Sequence, residues 1–309
     1  MSVDGFGEPA LDEALRLLGP LARKDVNLGR LTTYRVGGSS ALFVEVHREE
    51  DLLKVAKARN QTGVPVLVIG KGSNLLVADS GFRGITVVLG KQFDASKIHQ
   101  ETATVEAGSS VALPSLARRC VSANLSGFEW AVGVPGSIGG AVRMNAGGHG
   151  SDMESSIVKV DLFDLESAVS ETKTKDEMAF GYRRSSVTVE HIVLGVTLQL
   201  GYDRSGRSAE MLSDIVHWRR ENQPGGQNAG SVFVNPDGET SGELLDRLGL
   251  KGFRIGSAQV SSKHANFVQA DAGGSASDVD AVIRAVARRV HSETGLELRT
   301  EIQRVGFEA

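Results

Sequence analysis

The sequence predicts an α+β fold divided into two or three lobes. From Thr33 onward, strand patterns alternate with single amphipathic helices. The chain has 309 residues, which is enough to bury a sizeable core. It also has 37 glycines, above the usual share of about 7%, and these cluster in particular loops without a collagen-like period.

The N-terminal part predicts a helix followed by a β-α-β unit. Leucines at helical spacing predict a helical extension over residues 1–24. The next patterns predict a strand over Ser39–Val46, an amphipathic helix over Glu49–Asn60 and a buried strand over Val64–Gly70.

The middle of the chain predicts a further set of strands around one helix. A strand at residues 102–108 leads into a helix over residues 111–124. After a glycine-rich segment, alternating patterns predict strands at 157–166 and 191–203. The polar stretch that follows, DRSGRS, indicates a boundary near residue 205.

The C-terminal part predicts three helices and two strands. One helix carries Met211, Leu212, Ile215 and Trp218, a short helix covers residues 241–249, and the last helix runs from Ser277 to a stop at Gly295. The strands are predicted at Val232–Val234 and at residues 296–307, the second with Leu296, Leu298 and Ile302 on one face and Glu297, Arg299 and Glu301 on the other.

Composition favours an ordinary globular protein. The formal net charge is −4, from 34 basic and 38 acidic residues that are well mixed, so neither nucleic-acid binding nor a polybasic membrane anchor is expected. Acids stand where a signal peptide needs a basic start, and no apolar run approaches about 18 residues, so we expect a cytoplasmic protein. The lone cysteine, Cys120, indicates a buried filler, and no spacing predicts a metal site.

Two glycine-rich loops have the chemistry of an anion site. Gly70–Asn74 follows a predicted buried strand, and Pro135–Gly140 opens a short predicted helix. Backbone N–H groups in such turns attract phosphate, and two such loops suggest a long phosphate ligand, although tight turns alone would also explain them. Neither loop matches the dinucleotide fingerprint or a Walker loop, which disfavours Rossmann binding and P-loop hydrolysis.

A serine occupies an unusual position in NAGSVFVNP (228–236). Ser231 lies between a flexible Asn-Ala-Gly turn and the apolar Val232–Val234 run, which Asn-Pro closes. Its hydroxyl is therefore held at the start of the predicted strand. The alternative is a turn serine that hydrogen-bonds its own backbone.

Seven motifs occur in a characteristic order: TTYRVGG, GKGSNLLVADSGFRG, VGVPGSIGGAVRMNAGGHG, FGYRRS, RRENQP, NAGSVFVNP and RTEIQRVG. Over residues 25–306 they resemble the MurB family, UDP-N-acetylenolpyruvoylglucosamine reductase. The resemblance implies an FAD-binding fold of the vanillyl-alcohol-oxidase (PCMH) type, with lobes at residues 25–90 and 91–205. A C-terminal α+β substrate-binding domain would follow at residues 206–309.

The resemblance also implies site residues. Arg183, Ser231 and Glu301 match the catalytic trio of the family. Tyr182 and Asn235 match positions near the substrate, to which we add His264 as a candidate contact. Non-covalent FAD would be bound by three glycine-containing stretches, made of Tyr34, Arg35, Val36, Gly37, Gly38; Gly70, Lys71, Gly72, Ser73, Asn74, Leu75; and Val134, Pro135, Gly136, Ser137, Gly139, Gly140, Asn145, Ala146, Gly147.

The implied reaction is NADPH-dependent reduction of UDP-N-acetylglucosamine enolpyruvate to UDP-N-acetylmuramate, in cytoplasmic peptidoglycan synthesis. FAD supplies the hydride, because no side chain can. Arg183 offers a planar fork of donors to the substrate carboxylate. Glu301 serves either as a protonated acid or as the holder of a protonated partner, and Ser231 gives the proton at the α carbon.

The span between His191 and Trp218 is too short for the extra substrate-capping loop of one family branch, so the chain resembles the second branch, which lacks that loop. Two residues depart from the pattern of this second branch. His149 stands where tyrosine is common, and Lys71 stands between glycines where a small residue is common. Lys71 either contacts the pyrophosphate or points to solvent. We expect a monomer without nucleic-acid or membrane partners.

Two alternative functions remain open at the level of sequence. The first is another FAD-dependent sugar or alcohol oxidoreductase of the same fold, which would react with oxygen and often tether its flavin to histidine or cysteine. The second is a non-catalytic nucleotide-binding regulator. The NAGSVFVNP motif argues against the first, and the joint presence of Arg183, Ser231 and Glu301 argues against the second.

Overall fold

The computed structural model describes residues 7–307, so the first six residues of the predicted helical extension and the last two of the predicted C-terminal domain lie outside the described residues. Within this range the α-helices are α1 (Glu8–Leu18), α2 (Glu49–Thr62), α3 (Leu113–Ser122), α4 (Ile138–Met144), α5 (Ser208–Asn222), α6 (Ser241–Arg247) and α7 (Ala276–Thr294).

The strands, many of them short, are β1 (Ala22–Asn27), β2 (Ser39–Val46), β3 (Val66–Val68), β4 (Leu75–Val77), β5 (Phe82–Leu89), β6 (Ser96–His99), β7 (Thr104–Gly108), β8 (Leu125–Ser126), β9 (Gly147–Gly148), β10 (Ser151–Asp152), β11 (Ile157–Asp164), β12 (Val169–Thr174), β13 (His191–Gln199), β14 (Gly201–Tyr202), β15 (Arg254–Ile255), β16 (Ala258–Val260), β17 (Val268–Ala270) and β18 (Gln303–Val305).

The first lobe is a four-stranded sheet in the order β1-β2-β5-β3, with α1 and α2. Strand β5 pairs in parallel with β2 and β3, and β1 adds an antiparallel edge. Helix α2 connects β2 to β3 and ends at Gly63, which adopts a left-handed conformation. Leu11 and Leu18 of α1 share an apolar cluster with Leu52 and Val55 of α2, so α1 docks on this lobe. The predicted helical extension is too long at its C-terminal end, because β1 already begins at Ala22.

The second lobe is a five-stranded antiparallel sheet in the order β12-β11-β13-β7-β6, with α3 and α4. Val105, Val160 and Val196 of the sheet meet Leu116 of α3 in one apolar cluster. Ile215 of α5 belongs to the same cluster. Helix α5 therefore packs with the second lobe, although the boundary predicted near residue 205 places it in the C-terminal domain.

The C-terminal region combines the antiparallel sheet β15-β16-β17 with α6 and α7. Thr240 and Glu243 form a capping box at α6, and the Ser275 side chain caps α7 by accepting from the Asp278 N–H. Helix α7 ends at the left-handed Gly295, as predicted. Its buried face carries Val279, Val282, Ile283, Val286 and Val290.

Several contacts attach the C-terminal region to the first lobe. The Asp79 carboxylate accepts from the Ala276 and Ser277 N–H groups, each at 2.8 Å, and from Ser277 Oγ at 2.7 Å. Strand β18 pairs in parallel with β4. Leu76 and Tyr34 of the first lobe belong to the apolar cluster of the C-terminal region. This part of the first lobe thus shares its core with residues near the end of the chain.

Two predicted strands do not form as expected. Val232–Val234 is not a strand, because its hydrogen bonds are divided between Asn266 and residues 299–301. The Val232 N–H donates to the Asn266 carbonyl at 2.8 Å and the Phe233 N–H to Asn266 Oδ1 at 2.9 Å, whereas the Val234 N–H donates to the Arg299 carbonyl at 3.0 Å. The predicted strand over residues 296–307 is reduced to β18 and one bridge between Phe233 and Thr300. Of the predicted apolar face, Ile302 is buried in the C-terminal apolar cluster and Leu298 packs against it, whereas Leu296 is exposed.

Candidate active site

A cleft of about 700 Å³ lies where the two lobes meet the C-terminal region. Its walls include the loop after β3, the loop before α4, the turn that carries Arg183, the loop after α5 and the segment that carries Glu301. The cleft therefore brings Arg183, Ser231 and Glu301 together with both predicted glycine loops. Of the predicted cofactor residues it is lined by Gly70, Lys71, Gly72, Ser73, Asn74, Leu75, Val134, Pro135, Gly136, Ser137, Gly139, Gly140, Ala146 and Gly147.

The two glycine loops pack directly against each other. A Cβ atom placed on Gly70 would lie 2.3 Å from Ser137 Oγ, so a side chain there would fill the space between the loops. Gly72 has φ +59°, and a Cβ atom on it would meet the Leu31 carbonyl oxygen at 2.1 Å. Glycine is therefore required at position 72, where the left-handed φ and the backbone contact both exclude a side chain, whereas a side chain at position 70 would displace the Ser137 hydroxyl.

The third predicted stretch, TTYRVGG, lies mostly outside the cleft. Thr33 lines the cleft, but none of the residues Tyr34–Gly38 does. A Cβ atom on Gly37 would approach the Val77 carbonyl oxygen to 2.4 Å, so this glycine serves the close contact with β4. Tyr34 is fully buried, which raises the pKa of its phenol, and its hydroxyl has no hydrogen-bond partner among the described residues.

An ion pair joins the second lobe to the C-terminal region across the cleft. Arg183 Nε donates to Glu301 Oε1 at 2.6 Å, and Arg183 Nη2 donates to the Gly147 carbonyl at 3.2 Å. The two side chains are 24% and 17% exposed, which reduces screening by water. Arg183 is therefore a partly buried, paired arginine and not a solvated surface residue.

A strained turn holds Arg183 in place. Its φ is +55°, in the left-handed region, and the turn closes through two 3.1 Å backbone bonds between Gly181 and Arg184. Asn145, predicted to bind cofactor, is 2% exposed, does not line the cleft and donates from Nδ2 to the Gly181 carbonyl at 3.1 Å. In this structure Asn145 supports the turn beneath Arg183.

Glu301 is tied to the first glycine loop through its backbone. Asn74 Nδ2 donates to the Glu301 carbonyl at 3.1 Å, and the Gln303 N–H donates to the Asn74 carbonyl at 2.9 Å. The Glu301 N–H donates to the Val232 carbonyl at 2.7 Å. Glu301 is therefore positioned by the glycine loop on one side and by the NAGSVFVNP segment on the other.

Ser231 sits in a loop whose shape is set by two asparagines. Asn228 Oδ1 accepts from the Gly230 N–H at 3.0 Å, and Gly230 has φ +77°. On the other side, Asn266 Nδ2 donates to the Phe233 carbonyl at 2.9 Å. No hydrogen bond engages the Ser231 hydroxyl within residues 7–307, so it is available to a ligand.

The three predicted substrate contacts do not line the cleft. Tyr182 is 63% exposed, with the Arg183 guanidinium 5.0 Å from its ring centre. Asn235 Oδ1 accepts from the Ser241 N–H at 3.0 Å, at the start of α6. His264 packs beside Phe267, with ring centres 4.8 Å apart, and burial followed by nearby Lys251 lowers its pKa. Their substrate roles stay predictions.

Several cleft residues escaped the sequence analysis. Arg143, Arg219 and Ser109 all line the cleft. Arg143 and Arg219 lie inside two of the seven motifs, VGVPGSIGGAVRMNAGGHG and RRENQP, but neither was assigned a role from the sequence, and Ser109 lies outside all seven. The Gln223–Gly226 turn was also missed, although its Pro-Gly-Gly sequence resembles the other loops in composition. His149, noted for its position, makes an edge contact with Trp218 at 5.1 Å between ring centres, and burial followed by Arg219 lowers its pKa.

Other classes of site find no support among residues 7–307. No group of three or more His, Cys, Asp or Glu side chains is placed there to hold a metal ion. No helix in that range is both long and apolar enough to cross a membrane. Cys120 is buried outside the cleft lining, and burial raises the pKa of its thiol to about 12, which suits a filler and not a nucleophile.

Known proteins resemble the chain over almost its full length. A family model described as an FAD binding domain matches residues 40–172, and one described as the C-terminal domain of UDP-N-acetylenolpyruvoylglucosamine reductase matches residues 222–305. The reductase of Heliobacterium modesticaldum is 42% identical over 282 residues, 90% of this chain and 89% of that protein. That of Anoxybacillus flavithermus is 37% identical over 302 residues, 97% of this chain and 99% of that protein.

A solved structure gives the same result. The crystal structure of the MurB reductase from Thermus caldophilus superposes with a TM-score of 0.79 at 32% identity, covering 92% of this chain and 99% of that one. The predicted fold, an FAD-binding part followed by a C-terminal α+β domain, is thus confirmed. With this identity over nearly the whole length of both partners, the chain belongs to the MurB family of UDP-N-acetylenolpyruvoylglucosamine reductases, which are FAD-dependent oxidoreductases.

Proposed function

We propose that the chain reduces UDP-N-acetylglucosamine enolpyruvate to UDP-N-acetylmuramate, with bound FAD and with NADPH as reductant. It would work as a cytoplasmic monomer in peptidoglycan precursor synthesis. The observation that carries the proposal is that Arg183, Ser231 and Glu301 line the same cleft as the two glycine loops. A guanidinium, a neutral hydroxyl and a carboxylate are the groups that protonation of a carboxylate-bearing enol ether requires.

The cleft residues fit FAD. The backbone N–H groups of residues 70–74 in the first glycine loop donate to no other described residue, so a diphosphate in the cleft can accept from them. In the second loop the Gly136, Ile138 and Gly139 N–H groups are already engaged, so that loop contributes mainly the shape of the wall. Ser109 Oγ is buried on the cleft wall without a partner among the described residues, as expected of a group that a ligand satisfies. FAD would supply the hydride, and the side chains of the chain handle the proton and the charge.

Arg183 has donors left for the substrate carboxylate. Glu301 takes its Nε and the Gly147 carbonyl takes one Nη2 hydrogen, so the Nη1 hydrogens and the second Nη2 hydrogen remain. These form the end-on fork that matches a carboxylate in its plane. Since negative charge grows on that carboxylate as the enol ether is reduced, Arg183 stabilises the transition state more than the ground state.

Glu301 acts in this proposal as the holder of a protonated partner. The sequence left two roles open, and the 2.6 Å contact with Arg183 Nε favours this one over that of a protonated acid. Its carboxylate fixes the plane of the guanidinium and so the direction of the remaining donors. Removing the Glu301 carboxylate would leave the charge of Arg183 in the cleft, but the guanidinium would no longer be held in one orientation.

Ser231 gives the proton at the α carbon. Its hydroxyl is uncommitted, and the Asn228 and Asn266 hydrogen bonds hold its loop rigidly. A neutral donor suits a site where a dianion develops, because it adds no charge before the reaction. Solvent would then reprotonate Ser231 between turnovers.

An anaerobic spectral titration tests the proposal. The purified protein, refilled with FAD if necessary, should be yellow, lose its absorbance with NADPH and regain it when UDP-N-acetylglucosamine enolpyruvate is added. Acid precipitation should release the flavin into the supernatant, since the binding is non-covalent.

Three results would each refute part of it. Protein that stays colourless after incubation with FAD would refute FAD as the cofactor. Flavin that stays with the acid pellet would indicate a covalent tether. Reduced protein that reacts with oxygen but not with the enolpyruvyl substrate would favour the alternative of a sugar or alcohol oxidase.

A further inference from the structure

Arg143 is a partly buried cation that faces the cleft without an anionic partner. It lies in the last turn of α4 and lines the cleft. Its Nη1 donates to the Thr188 carbonyl at 3.2 Å, and no carboxylate of the described residues pairs with it. Burial lowers the pKa of Arg143, so the loss of hydration is not compensated by a negative charge of the protein.

An unpaired hydroxyl lies on the same wall. Ser109 is 4% exposed, and its Oγ has no partner among residues 7–307. Gly139 of α4 packs against it: the Gly139 N–H donates to the Ser109 carbonyl at 2.8 Å, and a Cβ atom on Gly139 would lie 3.0 Å from Ser109 Cβ. Gly139 and Arg143 are four residues apart on α4, so they share the face of the helix that borders the cleft.

The wall beside these two groups is apolar except for His191 of β13, which also lines the cleft. Valine side chains from β3, from β13 and from the segment before β13 line the cleft there, namely Val66, Val68, Val187, Val189 and Val193. Such a surface suits a flat ring that needs few hydrogen bonds. The guanidinium of Arg143 suits a phosphate, the hydroxyl of Ser109 suits a sugar, and the apolar surface beside them suits a base. Together they match the phosphate, sugar and base of one nucleotide.

We propose that Arg143 and Ser109 bind the diphosphate and the adjoining ribose of the adenosine half of FAD, whose adenine lies against the valines. The proposal rests on the function proposed above, because it requires FAD. The flavin ring of FAD must lie beside Arg183, Ser231 and Glu301, where the reaction would occur. The valine-lined part of the cleft is then left for the adenosine half of FAD. Arginine suits this position because its planar fork pairs with phosphate oxygens.

Binding to the flavin-free protein tests this assignment. Calorimetry would measure the affinity of the full chain for FAD and, separately, for ADP, which carries only the adenosine half. Arg143→Met should weaken both ligands about 10- to 100-fold, the loss expected for charge-assisted hydrogen bonds. Arg143→Lys should recover part of the affinity, and Ser109→Ala should cost a few-fold, about that of one neutral hydrogen bond.

A matched control and a stability readout separate ligand binding from support of the fold. Arg118, exposed on α3, also donates to one carbonyl, that of Pro114 at 2.9 Å, but does not line the cleft, so Arg118→Met should leave both affinities unchanged. The melting temperature of flavin-free Arg143→Met should equal or exceed that of the wild type, because a buried unpaired charge is gone. A structural role for the Thr188 contact would instead lower it.

The outcomes are distinguishable. Failure of the wild type to bind FAD at all would refute the proposed function. If the wild type binds FAD and Arg143→Met binds it equally well, the assignment of Arg143 is refuted alone. Weaker FAD binding with unchanged ADP binding would also refute it, because Arg143 would then act on the flavin half. If Ser109→Ala binds FAD and ADP as tightly as the wild type, Ser109 is not part of the proposed binding site.

Discussion

The C-terminal region meets the two lobes in different ways. Toward the first lobe, Asp79 caps α7, and β18 pairs with β4, so the boundary is made of backbone hydrogen bonds and shared core. Toward the second lobe lies the cleft, which the Arg183–Glu301 ion pair crosses. We call these the first-lobe boundary and the cleft boundary.

In the proposed function, the difference separates residues that hold the molecule together from residues that act on a ligand. Backbone bonds and apolar contacts resist opening, whereas a cleft bridged by a charged pair can admit a charged ligand that exchanges for one of its contacts. Substitutions at the cleft boundary should therefore change turnover more than stability. Substitutions at the first-lobe boundary should do the reverse.

The largest effect is expected for Ser231→Ala at the cleft boundary. Loss of a general acid typically costs about 10²- to 10⁴-fold, and it should appear in reoxidation of the reduced flavin by the enolpyruvyl substrate. Reduction by NADPH should stay near normal, because that step does not involve the hydroxyl. Stopped-flow measurement of each half-reaction provides the check.

Exposed Ser262→Ala is the matched control, expected to behave as the wild type in both half-reactions. In deuterated water, the wild type should place solvent label at the α carbon. If Ser231→Ala reoxidises at the wild-type rate, Ser231 is only a turn residue.

Arg183→Lys should have the next largest effect. Lysine keeps the charge, but it lacks the planar guanidinium that can hydrogen-bond Glu301, the Gly147 carbonyl and the substrate carboxylate at the same time. Turnover should therefore fall about 10- to 100-fold, with little change in the free energy of unfolding. Steady-state kinetics and urea unfolding measure the two quantities. The neighbouring Arg184→Lys, which is exposed, should leave both unchanged, and an unchanged turnover number for Arg183→Lys would exclude Arg183 from the site.

Asp79→Ala tests the first-lobe boundary. The variant loses three hydrogen bonds to the start of α7, and loss of a helix cap costs about 0.5–2 kcal/mol. Urea unfolding should show that loss, while turnover at 25 °C stays near the wild-type value. Exposed Asp237→Ala provides the control. A fall in turnover as large as that of Arg183→Lys would contradict the separation of the two boundaries.

The smallest effect is a pH dependence at the same residue. Burial would raise the pKa of Asp79, but hydrogen bonds from the Ser277 side chain and from the Ala276 and Ser277 N–H groups outweigh it and hold the pKa below its ordinary value of 3.8. The stabilisation is therefore complete above that value and is lost as the pH falls through the lower folded-state pKa. The difference in unfolding free energy between wild type and Asp79→Ala should stay constant from pH 7 to 5 and shrink below about pH 3.8. A difference that shrinks already between pH 7 and 5 would argue against this origin.

Strongly periodic segments were predictable because local pattern and tertiary burial agree in them. Ser39–Val46 forms β2 as expected, and the valine stripe that ends at Gly295 forms α7. Val232–Val234 has the same apolar character, but among the described residues it pairs through the single Phe233–Thr300 bridge, because the contact with Asn266 takes the Val232 and Phe233 N–H groups and the Phe233 carbonyl. That contact joins residues distant in sequence, so no local pattern contains it.

Residues of the candidate site were predictable where they belong to a motif whose residue types indicate a chemistry. Both glycine loops and the trio meet at one cleft, as the resemblance implied. Asn145 could not be separated from its loop by sequence, because its support of the Gly181 carbonyl depends on how two loops pack. Arg143 lies inside the glycine-rich motif VGVPGSIGGAVRMNAGGHG, but an arginine near the end of a helix is ordinary until the structure shows that no described carboxylate pairs with it.

The contact between Asn74 and Glu301 has a consequence for the order in which the protein is made. The two residues are 227 positions apart in the sequence, and β4 beside Asn74 finds its partner β18 only two residues after Glu301. During synthesis the first lobe emerges long before that partner, so β4 must wait with one edge unpaired while the rest of the chain is translated. Arg183, Ser231 and Glu301 therefore cannot come together around the cleft until residues 301–305 have left the ribosome, even in a nascent protein whose first lobe has already folded.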